Sequence, residues 1–251
     1  MPALPEVFLT TPITHRGLHG PDAPENSLAA ARAAIDAGYG IEMDIQPASD
    51  GVAMVFHDYD LRRLAGEEVL VSAADPATLA TKRLLGTPEG IPTLAQMLEL
   101  VAGRVPLLIE IKDQDGAMGP NIGNLHNQVA AALEGYEGPV AVMSFNPHIV
   151  AAFHKAAPHI PVGITSCGYP EEDWPLLDYE ARTRLAAIED FEDTGSSFIS
   201  HAKDDLTNPR VDALKSQGHA ILCWTIRSPA EEAEARKIAD NITFEGYLAA
   251  K

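Results

Sequence analysis

The sequence predicts a (β/α)8 barrel, and three features carry that expectation. Eight short apolar runs recur along the chain, amphipathic stretches of helical length lie between most of them, and ionisable residues gather where several of the runs end. The length of 251 residues suits a single barrel, since domains of this kind run to roughly 200–250 residues. Residues 1–251 are therefore read as one domain.

The first run, 11–15, precedes Asn26 and Ser27 as helix-cap candidates, the segment LAAARAAIDAG, and Gly38 as a C-terminal stop. The second run, 40–45, is followed closely by VAMVF at 52–56, and the next helix is expected over 93–103. The stretch 58–92 between them is polar and punctuated, and reads as the longest loop. PLLIEI, 106–111, has the continuous apolar pattern of a strand buried on both faces. Runs at 139–145, 161–166, 197–200 and 220–225 then alternate with helices expected over 147–157, 176–190, 208–217 and 229–240, and the run 242–244 closes the set.

Composition narrows the function. A hydrophobic fraction of 46% with 22% charged residues is that of a globular chain able to build a sizeable core. The formal charge of −18 repels nucleic acid and anionic membrane surfaces, so neither is expected as a stable partner, and an anionic substrate needs locally placed cations. The start, MPALPEVFLTTP, lacks the basic and apolar regions of a signal peptide, and no long apolar run occurs. A soluble, cytoplasmic protein is expected. Cys167 and Cys223 are far apart and without metal-type spacing, so both are read as core thiols.

The chemistry lies at the C-terminal ends of the strands. His15 and Arg16 end the first run, Glu42 and Asp44 lie in the second, His57 and Asp58 follow VAMVF, and Glu110 and Lys112 end PLLIEI. In a parallel barrel these ends form one rim. Residues two apart on a strand share a face, so Glu42 with Asp44, and Glu110 with Lys112, point the same way. Inward carboxylates this close repel one another unless a positive group sits among them. One answer is a set of core ion pairs with Arg16 and Lys112. The other is a bound metal ion, for which three oxygen donors without a cysteine favour a hard divalent cation, Mg2+ or Ca2+. His15 and His57 are the candidate proton carriers, because imidazole titrates near working pH. Phe145 and Trp224 sit at strand ends and either border a substrate or pack in the core. The remaining histidines are expected mostly on the surface or in loops, with His126 kept as a pocket candidate.

These residues resemble the glycerophosphodiester phosphodiesterases. That family opens with His-Arg-Gly and Pro-Glu-Asn, here His15-Arg16-Gly17 and Pro24-Glu25-Asn26. Its next signature matches Glu42, Asp44, Asp50-Gly51 and His57-Asp58, with Leu61, Arg63 and Gly66 continuing it. Pro92-Thr93-Leu94, Glu110 with Lys112, Ser144-Phe145 and Trp224-Thr225 complete the series, so the match spans positions 15–225. The resemblance implies a TIM-type barrel of the phospholipase-C-like phosphodiesterase kind and one divalent cation held by Glu42, Asp44 and Glu110. It also implies His15 and His57 as acid and base, and a small-molecule phosphodiester cleaved to glycerol 3-phosphate and an alcohol. Arg16 and Lys112 are expected to meet the phosphate charge, Arg16 bidentately and Lys112 as a point charge. Lysophospholipids and sugar phosphodiesters are the alternative substrates, although the insertion 59–90 is short for a separate lid and favours a small one.

The chain departs from the family at Gln46, Ala65 and Arg227, the last standing where Asn is common, and at the last strand. There Thr243-Phe244-Glu245-Gly246 replaces Thr-Asp-x-Pro. A two-zinc amidohydrolase on the same barrel would open with His-x-His, which position 17 does not supply. A barrel serving only as a binding module would lack a ligand or a histidine of the set, and none is missing.

Overall fold

A computed structural model describes residues 2–251. Nine strands occur among them: β1 (Ile13–Thr14), β2 (Gly40–Pro47), β3 (Ala53–Val55), β4 (Leu107–Ile111), β5 (Val140–Ser144), β6 (Val162–Ser166), β7 (Phe198–Ala202), β8 (Ala220–Ile226) and β9 (Asn241–Phe244). All but β3 pair in parallel, in the order β1-β2-β4-β5-β6-β7-β8-β9, and β9 returns to β1 through Ile13 opposite Thr243 and Thr14 opposite Phe244. The predicted eight-stranded barrel is therefore closed. The unusual last run forms a full strand, with one register irregularity against β8 between Cys223 and Ile226.

Ten α-helices accompany these strands: α1 (Val7–Thr10), α2 (Leu28–Asp36), α3 (Arg62–Ala65), α4 (Pro76–Ala80), α5 (Leu94–Val101), α6 (Leu125–Ala132), α7 (Pro147–Ala156), α8 (Tyr179–Ala186), α9 (Pro209–Ser216) and α10 (Pro229–Ala235). Their starts follow from capping chemistry. Ser27, Asp75, Thr93, Asn146, Asp178, Asn208 and Ser228 each accept a backbone N–H in the first turn, and proline follows at Pro76, Pro147, Pro209 and Pro229. Thr93 and Gln96 form a reciprocal capping box. The expected helix over 176–190 is shorter, ending at Ala186. Helix α6 lay in a stretch where no helix was expected, because it follows a loop rich in Gly, Asp and Asn and has a short apolar stripe.

Alternation along each strand sorts side chains between two cores. Ile41, Met43 and Ile45 face the helices, in the main hydrophobic cluster, whereas Glu42 and Asp44 between them line the barrel interior. The lower interior is apolar: Ile13, Leu108, Ala141, Met143, Phe198 and Leu222 pack with Leu4 and Phe8 from the N-terminal segment, which plugs that end. Gly163 makes room for this layer, since a Cβ there would lie 2.4 Å from the Phe198 ring.

Residues 58–92 are not the open loop that their polarity suggested. β3 turns back antiparallel onto β2, and α3 and α4 fold over it around a second buried cluster of Met54, Phe56, Leu61, Leu64, Val71, Leu79, Leu84 and Ile91. The apolar residues are too widely spaced for any single periodic signal, yet each short turn contributes one or two of them. Both cysteines are buried, as expected, and burial pushes Cys223 up to about 12. Among the described residues no helix is long and apolar enough to cross a membrane.

Candidate active site

The tops of β1, β2 and β4 converge on a pocket at the C-terminal end of the barrel. It is lined by His15, Arg16, Glu42, Asp44, His57, Glu110, Lys112, Phe145 and Trp224, so all nine residues singled out from the sequence come together. His126 does not join them: it sits in the first turn of α6, away from the pocket.

The turn after β1 sets the geometry. Arg16 and Gly17 both take the left-handed conformation, at φ +56° and +80°. A Cβ at Gly17 would lie 2.9 Å from that of Ala30, so glycine lets the turn press against α2. The turn aims the Arg16 backbone N–H at Glu42 Oε2, 2.9 Å away. Asn26, at φ +57°, is not the helix cap; Ser27 takes that role. Asn26 instead donates from Nδ2 to Asp44 Oδ2 at 2.9 Å and accepts from the Asp44 backbone N–H at 3.2 Å. It holds that carboxylate in place.

Glu42, Asp44 and Glu110 are 2%, 2% and 5% exposed, and oxygens of the three lie within 4.8 Å of one another. Lys112 Nζ lies 2.8 Å from Asp44 Oδ1 and 2.5 Å from Glu110 Oε1. Arg16 donates to Glu25 at 2.6 Å and approaches Asp44 at 3.4 Å. Burial would raise Asp44, yet Lys112, His57 and Arg16 hold it well below the usual carboxylate range. Glu42 has only the backbone donor, and burial, then Asp44 and Glu110, push it well above that range. Three pocket carboxylates thus face two cations, Arg16 and Lys112, both already engaged. The cluster could hold a metal ion, and its all-oxygen donors suit a hard one.

Each histidine is held at Nδ1 by a carboxylate. His57 lies 2.7 Å from Asp58 Oδ1, and Arg63 ties Asp58 to Glu25 with contacts of 2.7–2.8 Å. His15 lies 2.5 Å from Glu245 Oε2. In both, the pairing leaves Nε2 as the free ring nitrogen. Burial lowers the pKa of His15 despite Glu245, favouring the neutral ring.

Further polar side chains lie in or around the site without a signal in the sequence. His19 reaches Glu245 at 3.4 Å, and His201 is fully buried on β7, 2.8 Å from Ser166 Oγ. His19 lies in the loop after β1, in line with the surface or loop placement expected for most of these histidines, whereas His201 lies in a buried strand. The hydroxyls of Thr165, Ser200 and Thr243 line the pocket, buried and without a partner. Phe145 meets Trp224 edge-on at 5.5 Å and Trp174 at 5.1 Å, making one aromatic wall. Alternation on β6, β7 and β9 places such hydroxyls inward, but a lone Ser or Thr in a strand carries no distinguishing signal.

Residues 15–241 match the model of the glycerophosphoryl diester phosphodiesterase family. The chain belongs to that family. A glycerophosphodiester phosphodiesterase from Caldanaerobacter subterraneus is 31% identical over 68% of this chain and 73% of its own length. One from Bacillus altitudinis is 31% identical over 62% of this chain and 66% of its own. Among solved structures, an Oleispira antarctica phosphodiesterase in complex with the product sn-glycerol-3-phosphate superposes with a TM-score of 0.74 at 25% identity, covering 95% of this chain and 93% of that one. The barrel and family expected from the ordered motifs are both found.

Proposed function

We propose that this member of the family is a metal-dependent phosphodiesterase that cleaves glycerophosphodiesters to glycerol 3-phosphate and an alcohol. The observation that carries this reading is one pocket holding three buried carboxylates within 4.8 Å of one another beside two carboxylate-held histidines. The product bound by the Oleispira antarctica enzyme supports the same substrate class.

Glu42, Asp44 and Glu110 would hold one divalent cation, Mg2+ or Ca2+, which supplies Lewis-acid charge to the phosphoryl group when bound. The pairing supports this, because Arg16 is engaged by Glu25 and Lys112 by Asp44 and Glu110, which leaves Glu42 with a backbone donor alone. Arg16 and Lys112 then complement the anion, Arg16 through its planar donors and Lys112 through its ammonium. The glycerol hydroxyl next to the phosphate attacks phosphorus while Nε2 of one histidine takes its proton. The other histidine protonates the departing alkoxide, the P–O bond to the alcohol breaks, and a cyclic glycerol phosphate forms. Water then opens the ring with the two proton transfers reversed. The wall of Phe145 and Trp224 borders the organic part of the substrate.

The test is release of glycerol phosphate from glycerophosphocholine, glycerophosphoethanolamine and glycerophosphoinositol, and of lysophosphatidic acid from a lysophospholipid. EDTA should abolish turnover, and Mg2+ or Ca2+ should restore it without zinc. Full activity in EDTA, or restoration by zinc alone, would overturn the metal assignment. Cleavage of the lysophospholipid alone would move the substrate class.

A further inference from the structure

Two oppositely charged residues from the last two strand ends meet beside the pocket. Glu245 follows β9 and Arg227 follows β8, and Arg227 Nε donates to Glu245 Oε1 at 2.8 Å. The other carboxylate oxygen, Oε2, faces His15 Nδ1 at 2.5 Å. Backbone pairing brings the three together: the His15 N–H donates to Phe244 O at 2.8 Å and the Glu245 N–H to Ile226 O at 3.0 Å. Arg227 is itself anchored, its N–H donating to Glu231 Oε2 at 2.7 Å in α10. The barrel seam, where the first strand meets the last, therefore builds a relay from Arg227 through Glu245 to His15.

We propose that Glu245 is a positioning residue for His15, and that Arg227 and Glu245 act as one unit. Glu245 accepts the Nδ1 proton and fixes the tautomer whose Nε2 lone pair faces the pocket, while Arg227 keeps the carboxylate from rotating away. An imidazole with a free Nδ1 would divide its population between two tautomers and several ring orientations, and only one of these exchanges a proton with substrate. On the other side of the pocket Asp58, gripped by Arg63, stands in the same relation to His57. This inference rests on the reading of His15 as a proton-transfer group.

The test uses the full chain with Mg2+ and reads two properties. Long-range 1H–15N NMR of the His15 ring should show a single tautomer, protonated at Nδ1, in the wild type and a mixture in Glu245→Gln. An unchanged tautomer in the variant would overturn the proposal. Turnover of glycerophosphocholine by Glu245→Gln should fall in kcat on the order of 10–100-fold, the usual cost of losing an outer-shell partner, with KM little changed. Arg227→Ala, altered on the solvent side, should lower kcat in the same sense by a smaller factor. In a His15→Ala background neither substitution should lower kcat further, because both act through the imidazole. Equal losses with and without His15 would instead assign Glu245 a structural role. Near-normal turnover of His15→Ala would sink the acid–base reading itself, whereas a crippled His15→Ala beside an unaffected Glu245→Gln would sink only the positioning role.

Discussion

His15 and His57 occupy matching settings, each with Nδ1 held by a carboxylate that an arginine grips from behind. General acid–base catalysis contributes about 10²–10⁴-fold. His15→Ala and His57→Ala should each lower kcat by that much with the circular dichroism spectrum unchanged, and near-normal turnover in either would remove that residue from the mechanism. Asn26 shows what a motif residue does when its conformation is known: a left-handed backbone at φ +57° turns its amide onto Asp44 instead of the helix end. The Pro-Glu-Asn segment braces Asp44 through Asn26 and Arg16 through Glu25.

At the scale of elements, the strands carry opposite demands on their two faces. β2 alternates Ile41, Met43 and Ile45 towards the helices with Glu42 and Asp44 towards the pocket, so a register slip of one residue would put carboxylates into the apolar layer. The lower interior depends on a size match across β6 and β7. Gly163→Ala would place a methyl 2.4 Å from the Phe198 ring, and such overpacking costs about 1–3 kcal/mol. The midpoint of urea unfolding should fall with the slope unchanged, and an unshifted midpoint would show that Phe198 moves aside freely. The pocket lies above this layer, so KM should be less affected than stability.

For the whole molecule, pH acts on the pocket in two directions. Hydrogen bonds from His15 and His19 hold Glu245 well below the usual range, and the His57 and Arg63 contacts outweigh burial to lower Asp58. Stability from these depressed groups is present above the unfolded value of about 4 and is lost as pH falls through their folded values. Glu42 runs the other way: burial raises it, so its contribution is full below about pH 4 and is lost as pH rises through its folded value. Without metal, burial and the neighbouring Asp44 and Glu110 disfavour the ionised form of Glu42; with metal it must be ionised to bind, so metal binding releases its proton and is favoured by higher pH. Millimolar Mg2+ or Ca2+ should therefore raise Tm more at pH 8 than at pH 5, by an amount that corresponds to about 2.7 kcal/mol when the ion is at 100 times its Kd. Equal shifts at the two pH values would argue against the Glu42 cluster as the binding site.

The eight strands, the closed barrel and the nine pocket residues were legible in the sequence, because a strand buried on both faces leaves an uninterrupted apolar run and its end marks the rim. The inward carboxylates declare themselves by the period of two, Glu42 with Asp44, which no helix would place on one face. What tertiary structure decided is everything that depends on contacts across the seam or between turns. The Glu245–His15 pair joins residues 230 apart, and no local pattern announces a carboxylate that acts from the far end of the chain. The small core under 58–92, the inward hydroxyls of Thr165, Ser200 and Thr243, and the buried His201 are likewise set by which surfaces meet once the barrel closes. Periodicity records what a residue does for its own element; partners brought from elsewhere leave no trace in it.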